Sequence, residues 1–174
     1  PLTSSLGRGY GSPIAGTTLA AATGVTAAGQ FTIQVGTTTA VDVFTASGGQ
    51  AIAGNAKALA NAVNAAGISG VTATAASTVS AAGSTTNAVT VAGNATLTLN
   101  SINISVAVGT TGATNVANTL AAINQNSAAT GVTAASNGGG GLTLTAADGR
   151  NVAVSVADGT STGVDLASVG LGGV

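Results

Sequence analysis

The chain has no cysteine, no histidine, no methionine and no tryptophan, and its four acidic residues are all aspartate. Without cysteine, disulfides and thiolate metal sites are excluded. Without histidine or cysteine, a nucleophilic triad lacks its usual base and its alternative nucleophile. Charged residues make up 4% of the 174 positions, against about 25% in ordinary globular domains. They are Arg8, Lys57, Arg150, Asp42, Asp148, Asp158 and Asp165. Neutralising phosphate requires clustered Lys and Arg, so this inventory argues against a nucleic-acid partner. No apolar run approaches the roughly 20 residues of a membrane helix, and no membrane span is expected. Aromatics are 2% of the chain, and much of its 45% hydrophobic content is alanine, so any core is thin. With so little charge, solubility must come from a Ser/Thr/Asn surface, attached glycans or burial within an assembly. With so few titratable groups, stability is expected to change little with pH.

What is present is pattern. Leu97 and Leu99, then Ile102, Ile104, Val106 and Val108, recur at every second position, as in strands covered on one face. Val116, Leu120 and Ile123 follow at helical spacing. Leu142 and Leu144 then face Val152, Val154 and Val156 across Asp148-Gly149, a dipeptide suited to a tight hairpin turn. The order is strand, strand, helix, strand, hairpin. An earlier segment repeats it: Phe31, Ile33 and Val35 alternate, as do Val41 and Val43. Ser47-Gly48-Gly49-Gln50 has the spacing of a capping box and predicts a helix from near Gly48. Its stripe is Ile52, Ala56, Leu59 and Val63; Gly67 ends it, with Ile68 folding back onto Val63. Leu59 to Val63 matches Val116 to Leu120 at an offset of 57, whereas Gly70-Val71-Thr72-Ala73 matches Gly131-Val132-Thr133-Ala134 at 61. The four-residue difference, about one helical turn, predicts a longer second helix or exit.

The fold expected is α+β: two tandem small units, each with antiparallel strands packed on one helix in a ββαββ-like order. Their predicted bounds are a flexible leader or assembly arm over 1–29, a first unit over 30–91 and a second unit with a terminal segment over 92–174. Within the first, Val71 to Val91 is expected to form a loose hairpin closing on Val89 and Val91. Gly93-Asn94 reads as a turn into the second unit, and Val164, Leu166, Val169 and Leu171 as a short terminal turn or capping strand. Gly24 to Ala27 is a candidate short strand.

The repeated unit resembles the flagellin hook IN motif of the variable outer regions of bacterial flagellins. The resemblance is carried by Ala122-Ile123-Asn124, by Thr130-Gly131-Val132-Thr133-Ala134 and by the run from Leu142 to Arg150, with a weaker copy from Leu59 to Ala73. It implies an exposed, non-catalytic, structural role on an extracellular filament, with copies of the same chain as partners and O-linked glycans as possible decoration. The long terminal helices through which flagellins polymerise have no counterpart here. The chain therefore reads as an excised outer region or as one that assembles another way.

Candidate chemistry is sparse. A serine with Lys57 is arithmetically possible, but a single lysine on a helix reads as a solvated residue. Paired carboxylates would have to come from the four aspartates, and Asp148 is already explained by its turn. Asp158 and Asp165 lie near glycines, yet their spacing matches no calcium loop. Asn137-Gly138-Gly139-Gly140-Gly141 lacks the Lys-Ser/Thr of a phosphate loop and precedes a strand, so it reads as a hairpin connection. No catalytic, cofactor-binding or metal site is expected, and no enzyme. Asn94-Ala95-Thr96 and Asn103-Ile104-Ser105 satisfy the N-glycosylation pattern. The assembly contacts expected are Leu6, Tyr10 and Ile14 in the glycine-rich Pro1–Gly16 arm, where strand addition to a neighbour's edge is the mode envisaged. The alternative reading is an extracellular adhesin or carbohydrate-binding module, or an ice-binding face built on rows such as Thr143 and Thr145.

Overall fold

Val25 and Ile52 exchange backbone hydrogen bonds in both directions, at 2.9 and 2.8 Å, and so close the first part of the chain on itself. The computed structural model describes residues 24–53, 55–82 and 89–174. The chain divides into two compact units, one ending at Thr74 and the other beginning at Ala75. The fold is α+β, and every ladder among the described residues is antiparallel.

In the first unit, β1 (Thr32–Ile33) pairs with β2 (Val41–Asp42), and Val43, in line for a third strand residue, instead begins a single helical turn, α1 (Val43–Ala46). Ser47 caps the end of that turn rather than starting a helix. Gly48 and Gly49 have φ of +108° and +68°, outside the right-handed helix, which overturns the predicted start at Gly48. The main helix, α2 (Ala56–Ala65), starts later, where Asn55 accepts the Ala58 N–H at 2.8 Å. Ile52 therefore packs from the bridged strand, not from a helical stripe. Val25, Ile33, Val43, Ile52, Ala62 and Val63 form a small buried core, with Leu59 and Ile68 against it. The helix ends at Gly67 as expected. Val25 lies in this core, so residues 24–29 belong to the first unit and not to a leader; of the expected strand at Gly24 to Ala27, only the Val25 bridge forms.

Among its described residues the second unit has two three-stranded sheets. In one, β4 (Gly93–Leu99) is central, flanked by β5 (Ile102–Val108) and β8 (Val154–Asp158). In the other, β7 (Leu142–Ala146) is central, flanked by β3 (Ser77–Ser80) and β6 (Thr133–Ser136). Between β5 and β6 run α3 (Gly112–Gln125) and the single turn α4 (Ser127–Thr130). The alternation read from sequence places Ala95, Leu97 and Leu99 of β4, Ile104, Val106 and Val108 of β5, and Leu142, Leu144 and Ala146 of β7 in one core with Ile123. The β4–β5 turn is Asn100-Ser101, with φ of +50° and +69°, and Leu99 stands opposite Ile102. Two positive φ angles make it the tight hairpin turn whose twist suits flanking strands.

Three expectations fail here, for reasons of pairing. Strands β7 and β8 form no hairpin: β7 has both edges taken by β3 and β6, so the chain after Asp148-Gly149 crosses to the other sheet and pairs with β4. Nor does Val71 to Val91 close a hairpin within the first unit. Its strand β3 pairs with β7, Val89 is buried in the second core, and Val91 bridges Thr162, so the unit boundary lies at 74/75 and not at 91/92. Gly93 is the first residue of β4 rather than part of a linking turn. The terminal turn does form, as a 3-10 helix over Ala167–Val169 with Val169 and Leu171 buried.

Candidate functional site

Each of the four carboxylates accepts hydrogen bonds from residues close to it in sequence, and Asp42 Oδ1 alone among the described side-chain atoms is buried with no partner. Asp42 Oδ2 accepts the Thr45 hydroxyl at 2.6 Å, and this bond holds its carboxyl below the usual carboxylate range, against an opposing contribution from burial. Asp148 receives Arg150 through a forked ion pair with contacts of 2.8 to 3.0 Å. Asp158 accepts the N–H groups of Gly163 and Val164. Asp165 accepts the Ser168 N–H at 2.7 Å while Ser168 Oγ accepts the Asp165 N–H at 3.1 Å, a reciprocal cap on the terminal turn. Among the described residues no group of three or more His, Cys, Asp or Glu is placed to hold a metal ion, and no helix is long and apolar enough to cross a membrane. Lys57 lies half-buried on α2. Leu6, Tyr10 and Ile14 fall outside the described residues.

In place of charge the molecule uses asparagine. In the last turn of α3, Asn124 donates Nδ2–H to the Ala134 carbonyl at 2.9 Å and accepts the Ala134 N–H at 2.8 Å. In the last turn of α2, Asn64 does the same to Ala73, at 2.9 and 2.8 Å. A side-chain amide carries one donor and one acceptor face, so it stands in for the neighbouring strand that Ala73 or Ala134 lacks on the helix side. The two junctions are superimposable in sequence as Ala62-Val63-Asn64 and Ala122-Ile123-Asn124, an offset of 60. This replaces the helix offset of 57. With that anchor only one residue of mismatch to the following segment remains, in place of the four read from sequence. Helix α3 is longer than α2, fourteen residues against ten, and the additional turn lies at its start.

The device recurs within the second unit. Asn115 is fully buried on α3, where it accepts the Gly109 N–H at 2.7 Å and donates to the Gly109 carbonyl at 2.8 Å. Its neighbours along the buried stripe are Thr119 and Ile123, with Val116 and Leu120 half-buried beside them. Asn100 accepts the Ala153 N–H at 2.9 Å and donates to the Thr130 carbonyl at 3.2 Å. That carbonyl also receives Arg150 Nη1 at 3.2 Å, so the β4–β5 turn, the helix exit and the Asp148-Gly149-Arg150 turn meet at one oxygen. Asn137 opens the glycine connection between β6 and β7: its Oδ1 accepts from Gly139 and Gly141, and its Nδ2 donates to Ala81 at 2.6 Å. This bears out the glycine run as a hairpin connection. Sequence reasoning noted the asparagine of the second junction and missed its role; the signal was the same residue, after an apolar one, at Asn64.

Of the concave features, one is an open depression of about 420 Å³ in the first unit, lined by Ser47, Gln50, Asn61, Ile52 and alanines. Comparison of the chain with models of known protein families, with curated proteins and with solved structures found no match.

Proposed function

We propose that the chain is a structural, non-enzymatic component of an extracellular flagellin-like filament, with other copies of itself as partners. The observation that carries this reading is the duplicated junction: a helix ending in Ala-Val/Ile-Asn, whose asparagine clamps the alanine of a following Gly-Val-Thr-Ala segment. Two copies of one neutral module in one chain suit a surface that is tiled rather than a pocket that turns over substrate. The engagement of each aspartate by its own loop points the same way, since a general acid or base must be within reach of a substrate proton. The strands present exposed Thr and Ser side chains on their outer faces, at Ser105 and Ser155 among others, which gives a polar surface and acceptors for O-linked glycans.

The test is electron microscopy of the protein in its native setting and after concentration in vitro. Ordered polymers are expected; single particles at every concentration would overturn the reading. The depression beside Ser47, Gln50 and Asn61 favours a second reading, an adhesin or carbohydrate-binding module, because amide and hydroxyl groups around apolar methyls suit a sugar face. A glycan array separates the two: saturable binding lost in Asn61→Ala would favour the module.

A further inference from the structure

The duplicated junction differs between the two units in one respect. In the second unit, the segment after the clamp becomes β6, and β7 covers its far edge, with Thr133 opposite Thr145 and Ala135 opposite Thr143. In the first unit, the corresponding residues Thr72 and Thr74 are exposed, and among the described residues their backbone N–H and C=O groups have no partner. In an extended chain, backbone groups of successive residues point to opposite sides. Because Ala73 turns both of its groups to Asn64, Thr72 and Thr74 turn theirs away from the helix, to the side that β7 occupies in the twin.

We propose that this edge, Val71 to Thr74, pairs with the same edge of a second copy of the chain, antiparallel about a two-fold axis at Ala73. Such pairing sets Thr72 opposite Thr74 of the partner and Thr74 opposite Thr72 of the partner, so each copy supplies the donors and acceptors that the other lacks. The chain's own β7 is not available, since both its edges are filled. The usual guards of an exposed edge are missing as well: no proline follows Pro13, and no charged residue stands between Lys57 and Asp148. A neutral edge meeting its own copy meets no repulsion; Val71 and Ala73 pack against the first unit's own core, and the exposed Thr72 and Thr74 leave the other face clear. A two-fold contact closes at two copies, so the pairing supplies the dimer within the self-assembly proposed above, whose polymer needs a second contact, and it rests on that reading for its setting.

The test is backbone amide exchange of the intact chain across a range of concentrations, with sedimentation of the wild type and of Thr74→Pro, which removes one donor. Protection at Thr72 and Thr74 is expected to rise with concentration while Ala73, already held by Asn64, stays constant, and T74P is expected to remain monomeric. Exchange at Thr72 and Thr74 that ignores concentration would overturn the pairing, as would a folded T74P that still dimerises; should T74P not fold, the wild-type exchange decides. Filaments without protection at these two amides would sink the edge and leave the filament reading. Protection in a closed dimer that never polymerises would do the reverse.

Discussion

At the scale of single residues, the molecule is held by amides where other proteins use ion pairs. Removing Asn124 leaves the N–H and C=O of Ala134 without their partner in a part-buried site. Asn124→Ala is expected to cost roughly 2 kcal/mol, and Asn64→Ala less, because its bonds are exposed. Urea unfolding of the two variants checks the order, and equal losses would contradict it. Gly131 is fixed for two reasons: it ends α4 with φ of +72°, and a methyl group there would run into the Arg150 guanidinium. Gly131→Ala should therefore cost about 1–2 kcal/mol for the left-handed backbone alone and more for displacing Arg150. The pH response follows from Asp42. Its folded pKa is depressed below 3.8, so the stability it contributes is fully present above that value and is lost as pH falls through the folded pKa. A melting temperature that is level from neutral pH down to about 4 and declines only below is expected from this linkage; Asp42→Asn should flatten the decline.

At the scale of elements, the sequence was most informative where one face of a strand is buried. The alternation in β4, β5 and β7 and the apolar spacing of α3 follow directly from a two-sided environment, and those elements stand where the pattern puts them. What the sequence did not disclose is pairing. Leu142-Thr143-Leu144-Thr145 and Val152 to Val156 have the pattern and turn of a hairpin, yet the choice between β8 pairing with β7 or β4 depends on which edges other segments have already filled. Ser77–Ser80, whose one apolar residue is Val79, fills one of them and shows no apolar alternation of its own. Gly48-Gly49 misled for a local reason, since the capping-box spacing says nothing of whether the residues after the cap can enter a helix. The expected pairing is checked by cysteine pairs. Thr98 and Ser155 are opposite one another on β4 and β8, within disulfide reach, whereas Thr143 and Val154 would be opposite only in a β7–β8 hairpin. Oxidation is expected to cross-link the first pair and not the second.

At the scale of the whole molecule, two cores of unequal size share one chain. Among the described residues the first rests on six buried residues, the largest of them Ile33 and Ile52, and the second on fifteen that include five leucines at Leu97, Leu99, Leu142, Leu144 and Leu171. The first unit is therefore expected to unfold at lower temperature, as a separate calorimetric transition. Val63→Ala, which removes about 2 kcal/mol of packing, should lower that transition alone; a shift of both together would mean that the units melt as one. The repeat was legible as order and composition, but the feature that makes the copies equivalent, one asparagine at each helix exit, was legible only once its two bonds were placed. That choice of a dipole over a charge carries a consequence for the medium. Dissolved ions screen charges over about 10 Å at 0.1 M, and an amide pairing at contact offers them almost nothing to screen. A fold clamped at Ala73, Gly109 and Ala134 by neutral groups should hold equally in fresh water and in brine.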